Sequence, residues 1–279
     1  MSLAKLQKFI LGPSVPILTL SGSISSKSTQ RIARGLKNIN PVTAEAVGLV
    51  VNSEGGSLVQ AQIIAEKIRI YCNNKHLPLY TFAGDIAAGA GYYILSQGDK
   101  VFADQSSAIG QAGTLLTHTS WKQYLEQQKI ENRSWASDNQ LLQRILDTFN
   151  SLQKEDEQYV LNIVKNYNQT IREQILQKRG EQIKDHSILQ KGELYMGEKA
   201  KELGLVDDIS NFHQYFYENK PKANFSFVCN QPTKEDARKM FSKMKFNVSI
   251  FDKNRIKAQA EQNFVNSQMN AFSQFNQKL

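Results

Sequence analysis

The sequence predicts an α/β fold in which parallel strands are joined by crossover helices. From residue 15 onward, short runs rich in β-branched residues alternate with segments of helical periodicity. The run 46–52, Ala-Val-Gly-Leu-Val-Val-Asn, is continuously apolar, as expected of a strand buried on both faces of a sheet. With 279 residues, 41% of them hydrophobic and 22% charged, the chain is long enough to bury one substantial core.

The individual elements follow from the same periodicities. Strands are predicted at 15–20, 46–52, 78–84 and 100–103, and helices at 28–39, 57–71, 87–97 and 139–179. In the helix that begins near Ser57, apolar residues recur every three or four positions, which gives one stripe to lie against the sheet. The segment 192–208 predicts a turn, a short helix ended by Gly204, and a brief strand.

Composition argues against several classes of protein. No apolar run reaches the roughly 18 to 20 residues that span a bilayer, since Pro13 and Pro16 interrupt the best candidate. Cys72 and Cys229 lack the spacing of a disulfide framework or zinc site, which favours a reducing compartment. A net charge of +8 comes without the basic and aromatic pattern of nucleic-acid binding. The four scattered histidines predict no metal site, and no phosphate-binding loop predicts a cofactor.

The first 44 residues have an unusual charge pattern. They contain six basic residues and no Asp or Glu, a composition typical of mitochondrial import signals. We therefore predict a mitochondrial protein. The alternative is that this stretch only begins the fold, in a reducing intracellular compartment.

Three motifs stand out along the chain, and the first two lie at the ends of predicted strands. The first is 52–57, Asn-Ser-Glu-Gly-Gly-Ser, and the second is 84–95, Gly-Asp-Ile-Ala-Ala-Gly-Ala-Gly-Tyr-Tyr-Ile-Leu. The third, 192–208, ends Glu-Leu-Gly-Leu-Val-Asp-Asp. In this order, across about residues 14–212, they resemble the signal peptide peptidase A family of serine peptidases in the ClpP/crotonase superfamily. The resemblance implies a ClpP/crotonase-like fold of repeated β-β-α units with parallel sheets.

The catalytic residues of that family have no counterpart here. In the second motif the resemblance places the serine nucleophile at position 89, where this chain has Gly89. Glycine cannot form an acyl intermediate. The family's base is a lysine some fifty residues later, where Asp138 stands, and no lysine occurs between Lys129 and Lys154. We therefore predict no catalytic residue, and hence a pseudoenzyme.

Other parts of the family's site are implied to survive as remnants. The resemblance assigns the backbone amides of Gly55, Gly56 and Ala90 to the former oxyanion hole. Glu54 replaces the family's proline, and its carboxylate would oppose an oxyanion unless the side chain points away. The segment 109–113, Ile-Gly-Gln-Ala-Gly, resembles the strand that borders the family's peptide groove.

Three regions are predicted along the chain. They are an N-terminal arm (1–13), a peptidase-type domain (14–220), and a basic, aromatic-rich extension with a terminal amphipathic helix (221–279). The apolar positions Ile256, Phe264, Met269 and Phe272 of that helix are predicted to bind a partner, although the helix packing on its own domain, or disorder, are the alternatives.

The predicted function is that of a structural or assembly subunit in a larger complex of protein subunits, homologous chains among them. Association with the surface of a membrane is compatible with this role. Three alternatives stay open: a hydrolase completed by groups of a neighbouring subunit, an acyl-CoA-binding hydrolase that uses backbone amides, and a peptide-binding adaptor. Ser106 and Ser107 are poor substitute nucleophiles, because neither lies on a turn before a helix.

Overall fold

One sheet runs through the part of the chain that the structure describes. The computed structural model describes residues 12–133, 135, 141–149 and 151–229. The strands are β1 (Ser14–Ser21), β2 (Val47–Ser53), β3 (Leu79–Ala88), β4 (Lys100–Ala103), β5 (Ala108–Gly110), β6 (Leu194–Met196), β7 (Asp208–Ile209) and β8 (Asn224–Phe227). Their order is β6-β5-β3-β2-β1-β8, with β4 beside β3 and β7 beside β4.

The pairing is parallel except between β5 and β6. Because parallel neighbours cannot be joined by a tight hairpin, helices connect them. The helices are α1 (Ser26–Asn38), α2 (Leu58–Lys75), α3 (Ala90–Leu95), α4 (Lys122–Gln127), α5 (Leu141–Leu146), α6 (Lys154–Arg179), α7 (Ile188–Lys191), α8 (Gly197–Glu202) and α9 (Phe212–Asn219). The predicted α/β class with parallel strands and crossover helices is confirmed.

The two faces of the sheet are covered differently. One face carries the larger apolar core, to which α1, α2, α3 and α6 contribute buried residues such as Ile32, Ile64 and Ile171. The opposite face carries an aromatic layer in which the rings of Phe82 and Phe102 stack at 5.0 Å and Phe216 of α9 packs against Phe82. The helices around the candidate site therefore lie on the first face, and α9 lies on the second.

The helix predicted at 87–97 begins later than expected. Strand β3 continues through Ala88, because its last residues pair with β5, Ala87 lying opposite Ile109. Where β2 and β3 separate, the Asn52 side chain accepts a hydrogen bond from the Ile86 N–H at 3.1 Å. The small residues before position 89 therefore extend the strand, and only the residues from Ala90 onward are helical.

The single helix predicted at 139–179 is divided in two, and residues 139 and 140 lie outside the described part. Between α5 and α6 the chain turns at Asp147, whose Oδ1 accepts the Phe149 N–H at 2.9 Å. The carbonyl oxygen of Thr148 accepts the Trp121 N–H at 2.7 Å. These turn contacts compete with helical hydrogen bonds. Helix α6 ends before Gly180, as predicted.

The sheet continues past residue 220, where the peptidase-type domain was predicted to end. Strand β8 pairs with β1, and Val228 and Cys229 after it are buried. The chain divides into two units, 1–233 and 234–279, and all described residues belong to the first. The predicted partner-binding residues Ile256, Phe264, Met269 and Phe272 lie outside the described residues. No described helix has the length and apolar character that crossing a bilayer requires.

Candidate active site

Position 89 stands on a sharp turn between a strand and a helix. Gly89 joins the end of β3 to the start of α3 with φ +53° and ψ −121°. Its N–H donates to the carbonyl oxygens of Gly110 at 3.2 Å and Gln111 at 3.0 Å, which holds the turn against β5. Such a strained strand-to-helix turn is where α/β hydrolases carry their nucleophile. The turn at Gly89 thus has the backbone form of a nucleophile position, and glycine places no side chain there.

The nearest surroundings of Gly89 leave space for a side chain and consist of backbone carbonyl oxygens. A Cβ at this position would meet the carbonyl oxygens of Gly113 at 3.5 Å, Glu54 at 3.7 Å and Gln111 at 3.8 Å. These are ordinary van der Waals distances. Because all three nearest atoms are amide oxygens, none can remove a proton from a hydroxyl group.

The glycine turn after β2 packs against the strand-to-helix turn at Gly89, here called the elbow. A Cβ at Gly55 would lie 3.6 Å from the Ala90 nitrogen. Gly56 has φ +135°, and a Cβ there would lie 2.5 Å from the Ile24 carbonyl oxygen, so that only glycine fits. The structure therefore places Gly55 beside Ala90, with Gly56 next to Gly55 in the chain.

The Gly55 amide is already engaged within its own turn. It donates to the Oγ of Ser53 at 3.1 Å, and Ser53 is fully buried. Since an oxyanion hole needs amides free to point at the reacting oxygen, Gly55 is a poor donor for this purpose. Only Gly56 and Ala90 are left as candidates.

Glu54 contributes its backbone rather than its carboxylate to the site. The side chain is exposed to solvent, and the atom of Glu54 closest to a Cβ at position 89 would be its carbonyl oxygen. The carboxylate is thus free to stay in water, which is the case in which it would not oppose an oxyanion.

The segment after β5 is held in place by two side chains of α6. The Ala112 carbonyl oxygen accepts from Nε of Arg172 at 3.4 Å, and the Thr114 N–H donates to Oδ1 of Asn168 at 2.5 Å. Asn168 and Arg172 lie four residues apart, on one side of the helix. They occupy main-chain groups that an extended peptide would need in order to pair with this segment. Sequence reasoning missed both residues, because nothing in their spacing indicates what they contact.

An apolar groove opens beside the elbow, with a volume of about 210 Å³. Three stretches of chain line it: the start of α2, the residues after Gly113, and the middle of α6. The lining residues, here called the apolar groove, are Gly56, Ser57, Leu58, Val59, Thr114, Leu115, Leu116, Ile163, Val164 and Tyr167. Gly56 and Thr114 connect this groove to the glycine turn and to the segment held by α6.

The second and third motifs meet in the core. Tyr92 of α3 is fully buried, and its Oη donates to the Leu205 carbonyl oxygen at 3.0 Å. Burial raises the pKa of the Tyr92 hydroxyl well above its usual range, so it stays protonated and remains a donor. Tyr92 and Leu205 therefore join the second and third motifs in the core.

The remaining predicted positions are accounted for as follows. Asp138, at the predicted position of the base, lies outside the described residues. Ser107 is buried and donates to the Gly84 carbonyl oxygen at 2.6 Å, whereas Ser106 is exposed in the turn after Asp104. Within the described ranges, no three His, Cys, Asp or Glu residues are placed to hold a metal ion.

Comparison with known proteins places the chain in a family. The model of "Peptidase family S49" matches residues 72–226. A Brucella abortus protein named "Na(+)/H(+) antiporter NhaA" is 26% identical over 220 residues, 75% of this chain and 30% of that protein. Enterococcus faecium "Putative signal peptide peptidase SppA" is 27% identical over 182 residues, 64% of this chain and 52% of that protein. "Protease 4" of Haemophilus influenzae is 26% identical over 189 residues, 66% and 29% of the two chains. The chain thus spans between about a third and a half of the length of these relatives.

Proposed function

The chain belongs to peptidase family S49, and from this premise we propose that it is a catalytically inactive member that serves as a structural subunit of a larger protein assembly. Two of the relatives carry the names of peptidases. Those names describe proteins of which this chain spans only a part. The proposal for this chain rests on its own residues.

The observation that carries the proposal is Gly89 on the elbow. The turn has the strained geometry of a nucleophile position, yet no side chain is present to attack a carbonyl group. A fold that keeps such a turn without its nucleophile retains the packing of the site and not its chemistry. The absence of any lysine between Lys129 and Lys154 removes the family's base as well.

The alternatives receive less support from the described residues. Peptide binding by strand addition is disfavoured, because Asn168 and Arg172 occupy main-chain groups of the segment beside Gly89. An acyl-CoA hydrolase that uses backbone amides would have to rely on Gly56 and Ala90, because the Gly55 amide is engaged by Ser53. If a neighbouring subunit completed the active site of a hydrolase, that subunit would have to place its own nucleophile at the turn of Gly89.

A labelling experiment tests the proposal. The full chain is incubated with a fluorophosphonate probe, and hydrolysis of denatured casein is followed in parallel. We expect no label and no hydrolysis above the buffer background. An S49 peptidase with its serine in place serves as the positive control. Stoichiometric labelling of this chain would contradict the proposal, and so would casein hydrolysis that persists through repeated purification.

A further inference from the structure

A pocket with a volume of about 340 Å³ opens on the second face of the sheet, the face that carries the aromatic layer. It lies where β3 changes its neighbour, since residues 80–82 pair with β4 and residues 86–88 pair with β5. Residues 83–85, between these two ladders, line the pocket, and so does Asp104, the first residue after β4. In open α/β sheets, ligands bind in crevices beyond the carboxyl ends of strands. The pocket is therefore a candidate binding site.

The floor of this pocket is apolar and partly aromatic. Phe82 of β3 is buried, whereas Val50 of β2 and Phe212 at the start of α9 are half-buried. The ring of Phe212 packs edge-on against that of Phe82, with the two centroids 6.4 Å apart. Aromatic faces attract cations, and aliphatic surface attracts the apolar stem of a side chain. The floor thus suits a ligand that combines an apolar body with a positive charge.

Two carboxylates, those of Asp85 and Asp104, stand on the rim, and we call this site the aspartate-rimmed pocket. Oδ2 of Asp85 accepts from Nδ2 of Asn52 at 2.8 Å, and Oδ1 of Asp104 accepts the Ser106 N–H at 3.2 Å. Among the described residues, neither carboxylate forms an ion pair, and the second oxygen of each accepts no hydrogen bond. Both aspartates are exposed at the mouth of the pocket. Two negatively charged acceptors are therefore left for a ligand.

A buried serine fixes the two aspartates relative to each other. Ser107, which is 1% exposed, donates to the Gly84 carbonyl oxygen at 2.6 Å and accepts the Asp104 N–H at 3.0 Å. Gly84 directly precedes Asp85, and a Cβ at Gly84 would lie 2.8 Å from the Cβ of Asn52. Because these contacts leave the rim little room to move, a ligand loses less free energy in ordering it.

Arginine matches this floor and rim better than lysine does. The guanidinium group carries its N–H donors in a rigid plane, so it can donate to two carboxylates while its face stacks on an aromatic ring. The ammonium group of lysine is compact and more strongly hydrated, which makes it more costly to take out of water. The geometry of the aspartate-rimmed pocket therefore favours a guanidinium ligand.

The exposure of the rim favours a protein as the source of that guanidinium group. An ion pair that stays in water contributes little to binding, so a small free cation would be held weakly at exposed aspartates. A protein segment covers the rim with its own backbone and neighbouring side chains, and exclusion of water strengthens the pair. We propose that the aspartate-rimmed pocket receives an arginine side chain of a partner protein, with the guanidinium group between Asp85 and Asp104 and its face on Phe212. This inference rests on the proposed assembly role and names the chemistry of one contact.

Calorimetric titration of the full chain with three capped tripeptides tests the contact. Each tripeptide has leucine on either side of a central residue, which is arginine, lysine or citrulline. Citrulline has nearly the shape of arginine but no charge. It should bind about 10-fold more weakly or worse, because charge-assisted hydrogen bonds to both aspartates are lost. The lysine tripeptide should also bind more weakly than the arginine one.

Matched variants locate the binding. Asp85→Asn and Asp104→Asn remove a charge but keep an oxygen for Asn52 and Ser106, and each should weaken the arginine tripeptide by about 10-fold. Their thermal unfolding should stay close to that of the wild type. Glu66→Gln is the control, because Glu66 is exposed on α2, on the first face of the sheet. It removes the same charge and should leave binding unchanged.

Two further measurements test the ring face and the source of the cation. Phe212→Leu keeps an apolar floor without an aromatic face and should weaken the arginine tripeptide by about 2- to 5-fold, the usual effect of a cation–π contact. Agmatine carries the same guanidinium group on a small free amine. It should bind at least about 10-fold more weakly than the tripeptide, since it leaves the rim in water.

Two results would overturn the arginine contact: a citrulline tripeptide that binds as tightly as the arginine one, or a Glu66→Gln effect equal to that of Asp104→Asn. Agmatine that binds as tightly as the tripeptide would overturn the protein source of the guanidinium group. A chain that binds no arginine tripeptide and takes no fluorophosphonate label would overturn this inference alone. A labelled chain that binds the arginine tripeptide would keep the contact and overturn the proposed loss of catalysis.

Discussion

Gly89 occupies the turn between β3 and α3 with a positive φ of +53°. A positive φ disfavours any side chain with a Cβ, and active enzymes accept that cost in order to present a nucleophile. In this chain glycine holds the same turn without the cost. Replacing Gly89 by serine therefore tests whether the rest of the site can still support catalysis.

We expect that Gly89→Ser will not restore hydrolysis. A serine Cβ fits among three carbonyl oxygens, none of which can activate the hydroxyl group, and the stretch where the family has its base lysine contains no lysine between Lys129 and Lys154. The free energy of unfolding should fall by about 1–3 kcal/mol, the usual cost of a disfavoured φ. Fluorophosphonate labelling and urea unfolding measure the two effects.

Gly22→Ser is the matched control. Gly22 has φ +72° and no atom within 4 Å of a Cβ, so the substitution carries a similar backbone cost away from the site. A labelled Gly89→Ser chain would mean that a base is present after all.

At the scale of elements, helix α9 covers the second face of the sheet. Phe216 is fully buried against Tyr80, Phe82 and Phe225, whereas its neighbour Tyr217 is 75% exposed. Two adjacent aromatic residues on one helix thus face opposite environments. Truncating each of them to alanine separates the stability lost with a buried ring from the effect of alanine on the helix itself.

Phe216→Ala should lower the free energy of unfolding by about 3–5 kcal/mol, the usual cost of deleting a buried aromatic ring. Tyr217→Ala should change it by less than about 0.5 kcal/mol, since surface substitutions rarely cost more. Urea denaturation followed by circular dichroism compares the two variants. Equal losses would mean that α9 does not pack as described.

At the scale of the whole molecule, one buried ion pair joins distant parts of the chain. Arg179, at the end of α6, donates to Asp207 at 2.8 Å and to the Gly204 carbonyl oxygen at 3.1 Å. Asp207 in turn accepts the Val101 N–H of β4 at 2.7 Å. The pair therefore ties the long helix to the third motif and to the sheet.

Arg179→Met should cost about 3 kcal/mol of unfolding free energy, because it leaves a partly buried carboxylate without its cation. Lys199→Met removes an exposed partner of Glu202 and should cost less than about 1 kcal/mol. Thermal unfolding at neutral pH compares the two. A loss for Arg179→Met no larger than that for Lys199→Met would show that the pair contributes little.

Local patterns predicted most of the core elements to within a few residues. The strand at 100–103 and the end of α6 before Gly180 agree with the structure, because apolar runs and terminal glycines act over short stretches of chain. The helix start at 87 and the continuity of the helix predicted at 139–179 were wrong. In the first case β3 is prolonged by its pairing with β5, and in the second the chain turns where Thr148 meets Trp121. Both are contacts between residues distant in sequence, which local periodicity does not record.

The sequence by itself determined that the chain is an α/β protein and that position 89 carries no nucleophile, since both depend on residue type and order. The mitochondrial location and the partner-binding stripe that includes Phe264 stay predictions. Only the tertiary structure decided that Gly89 stands on a sharp turn with positive φ, that Ser53 engages the Gly55 amide, and that Asn168 accepts the Thr114 N–H. Each of these depends on the direction in which a backbone or side-chain group points, and that direction is set only when distant segments pack together.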